Sequence, residues 1–291
     1  MRYGRAVICV VVAAVLWSAM GLAIRQIDAA GTWAVLFWRS VGMVPVLAVY
    51  IGWTSGGRVV SRLRGVGWAG VLGGIGLVAA FAGAIFAIQS TTVANAVFLF
   101  SATPFFAALL GWIILREPVR PATWAAIGLA GIGMYVMVRE GLAAGEMSGN
   151  LAAILSALGF AVFTVTLRWG RSTDMLPAVV LGGVFSMVFA VVVLGVQGQG
   201  LAVSVHDAAI AIAMGAGQLA GGMILYTIGS RMIAAADLTL LSMVEVMLAP
   251  IWVWLLLGET ASAATFMGGA ILLVAVGLNA VAGARARMIR R

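Results

Sequence analysis

Glu245 stands near the middle of the apolar run 236–257, and Arg39 lies about six residues into another, 33–51. A carboxylate in hydrocarbon costs several kcal/mol unless it is protonated, paired or turned to water, so Glu245 is expected to face a polar interior. There it would meet the amino group of a substrate or take up a proton. Arg39 carries the same penalty and is expected to find a partner or to snorkel outward. It would attract a substrate carboxylate, or else serve a structural ion pair or the free carbonyls of a helix end. By depth the two could approach each other. A full pair would leave a nearly neutral cavity, which suits zwitterions or uncharged metabolites better than anions. No arginine cluster lies within the apolar runs, so phosphate esters, which need bidentate positive partners, are a poor fit.

Other polar and aromatic residues at similar depth complete a candidate substrate-binding set. Ser242 is one turn from Glu245 on the same face. Gln218 shares a face with Gly221, Gly222 and Leu225, where a ligand could approach the backbone, and its alternative role is interhelical glue. Trp17 and Ser18, then Asn95, Phe98 and Ser101, then Phe160, Phe163 and Thr164, would line a cavity suited to an apolar or aromatic side chain. Each of these aromatics could equally be a packing residue.

The elements that must position them are membrane helices. With 64% hydrophobic residues, 9% charged residues and a mean hydropathy of +1.15, the chain lies outside the soluble globular range. A span needs about 20 apolar residues. Ten such spans are predicted, at 6–24, 33–51, 66–87, 92–115, 121–138, 150–168, 177–196, 208–230, 236–257 and 264–282. No connection is long enough for an aqueous domain, so the expectation is one all-α integral membrane domain handling its ligand inside the bundle. The first span lacks a clean cleavage site and is read as retained. Cys9 is the sole cysteine and has no internal partner.

The net charge of +8 comes from 17 arginines and no lysine. With the N-terminus cytoplasmic, fourteen arginines fall on the inside and only Arg25 and Arg139 on the other side. That is the positive-inside distribution. It points to a plasma (inner) membrane location with both termini cytoplasmic and to the lipid surface, not nucleic acid, as the partner of the charge.

Residues 94–117 and 236–259 align at a constant offset of 142, sharing Ala94/Ala236, Leu99/Leu241, Ala107/Ala249, Trp112/Trp254, Leu115/Leu257 and Glu117/Glu259. Both are the fourth helix of a five-helix half, and an odd number of crossings per half makes the repeat inverted, 1–140 against 149–291. Inverted repeats clasp substrates near the midplane. Glu117 and Glu259 each precede another helix and are expected to cap its free N–H groups.

The span count, the short connections and the paired motifs WIILRE and WLLLGE resemble the drug/metabolite transporter superfamily, in particular its EamA-type ten-helix members. The resemblance covers nearly the whole chain. It implies a pseudosymmetric bundle of ten transmembrane helices, as two inverted repeats around a central cavity, that moves small metabolites. Several similar proteins export amino acids. Where such proteins often carry Glu-Pro in the ninth helix, this chain has Glu245-Val246 and a later Pro250, so a kink there would be displaced by about one turn relative to Pro104.

The leading expectation is a secondary transporter exporting amino acids or related zwitterions, with proton coupling through Glu245. Uptake of an amino acid, quaternary amine or other small solute is the alternative, and a non-transporting scaffold subunit is the alternative from another class. A homodimer is left open. No P-loop lysine is present, no cofactor or metal is expected, and an enzyme is disfavoured because the only histidine, His206, has Asp207 but no second His or Cys beside it.

Overall fold

The computed structural model describes residues 3–144, 146–170, 174–230, 232–233 and 235–288, with the side chains of 140–144, 230, 235–240, 242 and 283–288 outside that description. Ser242 therefore contributes backbone only, and its expected role lies outside the described residues.

The described residues form ten helical crossings: α1 Tyr3–Arg25, α2 Thr32–Ser55, α3 Gly67–Ser90, α4 Val93–Leu115, α5 Pro121–Ala144, α6 Met147–Trp169, α7 Leu176–Val196, α8 Val205–Gly229, α9 Ala235–Leu257 and α10 Ala263–Met288. Nine are long and apolar enough to span a bilayer over their described residues, and α9 adds the shorter apolar stretch Met243–Leu257. Among the described residues, only the short helix Val59–Gly65, with Arg62 and Arg64 in its last turn, lies outside the crossings. The expected all-helical multi-pass membrane architecture holds. In lipid, only structures that satisfy their own backbone polar groups can cross, and helices do so.

Packing partners follow a two-fold pattern. α3 lies on α6 and α8 on α1; α4 lies on α6 and α9 on α1; α2 lies on α8 and α7 on α3. The remaining large contacts, α2 on α7 and α5 on α10, map onto themselves when the first five helices are exchanged for the last five. The ends of α4 and α9 repeat the same cap. Arg116 and Gly258 take left-handed φ values of 54° and 66°, and the next amide reaches back six residues, Glu117 N to Gly111 O and Glu259 N to Val253 O, both at 3.2 Å. In both, a left-handed residue just past the helix end lets the following amide serve a free carbonyl of the last turns. A glycine fills the left-handed position in one half, whereas an arginine must bear the Cβ cost in the other.

Small residues set the closest crossings. A Cβ on Gly76 would meet the Gly159 carbonyl, one on Gly159 would meet the Gly76 carbonyl, and one on Gly215 would overlap the carbonyl of Arg39. Helix backbones thus touch between α3 and α6 and between α2 and α8, as small-residue packing allows in lipid.

Three crossings are irregular. α1 is interrupted at Ala19, between Tyr3–Ser18 and Met20–Arg25. α4 breaks between Val93–Phe100 and Thr103–Leu115, directly before Pro104. The Phe100 carbonyl, which Pro104 cannot serve because it lacks an N–H, accepts from Thr103 Oγ1 at 2.8 Å. α8 contains an eight-residue π-helical segment, Met214–Gly221. α9 runs through Pro250 as one helical segment, without an interruption like the one before Pro104.

Candidate functional site

The interruptions of α1 and α8 meet at the centre of the bundle. The Trp17 carbonyl, two residues before the interruption of α1 at Ala19, accepts from Gln218 Nε2 of the π segment at 3.0 Å. A widened π turn re-aims side chains and recurs at functional sites. The other end of the amide, Gln218 Oε1, is buried without a partner, as is Trp17 Nε1. The Trp17 ring stacks at 5.4 Å on Tyr226 of α8, and no Cβ would fit on Gly222 beside it. Ser18, fully buried, donates to Val15 O at 2.7 Å and accepts from Trp252 Nε1 of α9 at 2.9 Å. Gln218 thus acts as interhelical glue with one atom and leaves the other unused.

Arg39 is 2% exposed. Its guanidinium carbon lies 4.8 Å from the Phe81 ring centroid, and Nη1 faces the Met20 sulfur at 3.6 Å. Nε and Nη2 have no partner. The expectation that Arg39 would pair with Glu245 or snorkel outward is therefore corrected: among the described residues the only ion pairs are Arg25–Glu259 and Arg168–Glu117. The reason is positional. α2 packs on α7, α8 and α3, whereas α9 packs on α1, α10 and α4, so the two charges belong to different walls. An aromatic face and a soft sulfur take the place of the carboxylate.

Glu245 is residue 11 of the 23 in α9 and is half-buried. It lies seven residues before Trp252, two helical turns that return to the same face. Since Trp252 reaches Ser18 of α1, that face looks into the bundle, and Glu245 makes no hydrogen bond or ion pair with a described residue.

The remaining candidates divide between packing and a polar network. Phe98 is 6% exposed and fills the space beside Gly269 of α10, where no Cβ could stand. Phe163, 2% exposed, packs on Gly73 and Gly76 of α3 and lies 5.5 Å from Phe160. Both serve helix packing. Ser101 and Thr164 turn back on their own helices, donating to Phe98 O at 2.6 Å and Phe160 O at 2.9 Å. Asn95 Nδ2 bonds Asn150 Oδ1 of α6 and also Thr91 Oγ1 at 3.0 Å, and Thr91 donates to Glu146 at 2.6 Å. Asn95 is thereby a helix connector.

Glu117 and Glu259 depart from the expected capping of the following helix. Glu259 accepts from Val93 N at 2.6 Å, at the start of α4, and grips Arg25, while Glu117 pairs with Arg168. The start of α10 is instead served by Ser262, which accepts from Thr265 N. Asp207, passed over as chemistry, clamps the α1–α2 connection by accepting from the backbone N–H groups of Asp28, Ala29 and Ala30 at 3.0–3.2 Å. His206 and Asp28 come within 4.8 Å of it, but its oxygens are engaged. Met20, Phe81 and Trp252 were not singled out as functional residues, because Met, Phe and Trp in apolar runs carry no chemical signal. An apolar groove of about 820 Å³ lined by Ile75, Ala79, Phe86, Leu155 and Val188 holds no ionisable group.

No curated protein matches the sequence. A solved crystal structure aligns over 95% of this chain and 97% of its own at TM-score 0.63 and 18% identity, which shows a shared fold. Residues 4–139, a little under half of this multi-pass membrane protein and covering its first five crossings, match the model of the EamA-like transporter family.

Proposed function

We propose that the protein is a secondary transporter that exports amino acids or related zwitterions by alternating access between two inverted halves, 1–140 and 149–291. The observation that carries this reading is the pair of opposite charges in separate walls of one bundle: Arg39 with an unpartnered Nε/Nη2 edge, and Glu245 without an ionic partner among the described residues. A guanidinium buried without an anion is costly in a membrane, and a substrate carboxylate is the missing counterion. A substrate amino group, or a proton, is the corresponding partner for Glu245. The Nε/Nη2 edge is the fork with which Arg25 holds the carboxylate of Glu259, so the same geometry suits a carboxylate at Arg39.

The two-fold exchange of packing partners supports inverted repeats. The arginine distribution supports an inner-membrane location with both termini cytoplasmic. Export depends on the arrangement of metabolite gradients, since a carrier of this kind moves solute down the combined gradient.

The test is a screen of amino acids and uncharged metabolites for thermal stabilisation of the purified protein, followed by flux in liposomes. Stabilisation by zwitterions that disappears in Glu245→Ala is expected. Stabilisation only by solutes lacking a carboxylate overturns the charge-pole reading. Proton coupling is examined separately by comparing counterflow with net transport across a pH gradient in Glu245→Gln. A pH dependence equal to that of the parent protein rejects it.

A further inference from the structure

The two ion pairs occupy equivalent places in the two halves. Each joins the arginine that ends the first helix of one half to the glutamate that follows the fourth helix of the other: Arg25 of α1 to Glu259 after α9, and Arg168 of α6 to Glu117 after α4. The glutamates are 142 residues apart and the arginines 143. Both glutamates are aimed by the same cap, a left-handed residue followed by an amide bonded six residues back. Val93 opens α4 and bonds Glu259, whereas Glu117 follows the end of α4, so the pairs sit on opposite membrane faces, roughly 30 Å apart along that helix.

Equivalent residues nevertheless stand in unequal states. Arg25 makes a two-nitrogen grip on Glu259, at 2.7 and 3.3 Å, and also donates to Ile88 O at 2.6 Å and Thr91 O at 2.7 Å, closing the turn between α3 and α4. Thr91 extends this closure to α6 through Asn95 and Asn150. The side chains of Arg25 and Glu259 are 26% and 19% exposed; those of Arg168 and Glu117 are 48% and 42% exposed and meet through one nitrogen. The pair at the face opposite the termini is thus the more enclosed and the more fully bonded of the two. Such an inequality between equivalent pairs is what a bundle closed at one face and open at the other presents.

We propose that Arg25–Glu259 and Arg168–Glu117 are reciprocal latches between the halves, the first holding the face opposite the termini shut in this conformation and the second doing so for the termini face in the other. This rests on the alternating-access reading above. Breaking one latch lowers the stability of the state it closes and shifts the population toward the other.

The test uses the full chain in proteoliposomes of known orientation, with Cys9→Ala and Met20→Cys as a single thiol beside Arg39, and impermeant thiol reagents applied from each side without substrate. Glu259→Gln is expected to raise labelling from the face opposite the termini by about tenfold, the effect of losing one charge-assisted contact, and to lower it from the termini face. Glu117→Gln is expected to do the reverse. The charge exchanges Arg25→Glu with Glu259→Arg, and Glu117→Arg with Arg168→Glu, should return labelling toward the parent, which also separates latch loss from misfolding. Both single variants shifting labelling the same way, or neither shifting it, overturns the latches and leaves the carrier reading standing. A thiol labelled from only one face in every variant overturns alternating access itself.

Discussion

The guanidinium of Arg39 lies over the ring of Phe81, its Cζ 4.8 Å from the centroid, and turns Nη1 to the Met20 sulfur at 3.6 Å. Substituting the cation should therefore separate stability from transport. A buried charge without a counterion weakens the fold, and replacing such groups by apolar residues of similar volume is often neutral or stabilising by about 1–4 kcal/mol. Arg39→Met, which keeps the length and packs on Met20 and Phe81, is expected to unfold at the same or higher temperature in detergent. Its flux should fall about tenfold or more if the cation binds substrate. The opposite result, lower stability with flux intact, would identify Arg39 as a structural cation.

The crossing of α2 and α8 brings Gly215 onto the Arg39 carbonyl and Gly42 onto the Ile212 carbonyl, with no room for a Cβ at either. Gly215→Ala must push two backbones apart and should cost about 1–3 kcal/mol. Gly131→Ala on α5, with nothing within 4 Å of its Cβ position, should be neutral or gain up to about 1 kcal/mol from helix propensity. Thermal unfolding of the two variants side by side checks the contrast. Equal effects would mean that the α2–α8 contact relaxes freely.

The membrane architecture was legible because lipid imposes a crude rule: apolar runs of fixed length must be helices. The predicted spans coincide with the ten crossings to within a few residues, apart from the interruptions at Ala19 and Ser101 and the π turn at Met214–Gly221. Periodicity cannot reveal those, since an apolar residue keeps the same pattern in an α or a π turn. Pro104 announced the break in α4, yet Pro250 in α9 produced none, because a proline removes one hydrogen bond and the surrounding packing decides whether the helix breaks. The isolated charges were found for the same reason as the spans: Glu245 and Arg39 violate the rule. Their partners were not, because pairing depends on which helices touch. Depth suggested Arg39 beside Glu245, whereas the bundle puts a phenylalanine and a methionine at the arginine and no described ionic partner at the carboxylate. Glu117 and Glu259 were read along the chain as caps for the next helix, and their actual partners, Arg168 and Arg25, are close only across the two halves.

Asn95 and Asn150 face each other from α4 and α6, 2% and 0% exposed. Removing one amide leaves the other buried without its partner, at a cost of about 1–3 kcal/mol, so Asn150→Ala and Asn95→Ala should each destabilise by that amount. The double variant should cost clearly less than the sum of the two. Thermal unfolding of the four proteins in the cycle measures this coupling. Simple additivity would show that each asparagine is served independently, Asn95 by Thr91 alone.

The break in α4 offers a final cycle, between Thr103 and Pro104. The Phe100 carbonyl accepts from Thr103 Oγ1 at 2.8 Å at the position where a residue other than proline at 104 could supply a backbone N–H. Thr103→Val keeps the shape and removes the hydroxyl, so it should destabilise by about 1 kcal/mol, the worth of one hydrogen bond. In a Pro104→Ala background the backbone can serve that carbonyl, and the same Thr103→Val change should cost little. If Thr103→Val costs as much with alanine at 104 as with proline, the hydroxyl is not compensating for the missing N–H, and the break between Val93–Phe100 and Thr103–Leu115 must be held by packing against α6 and α10.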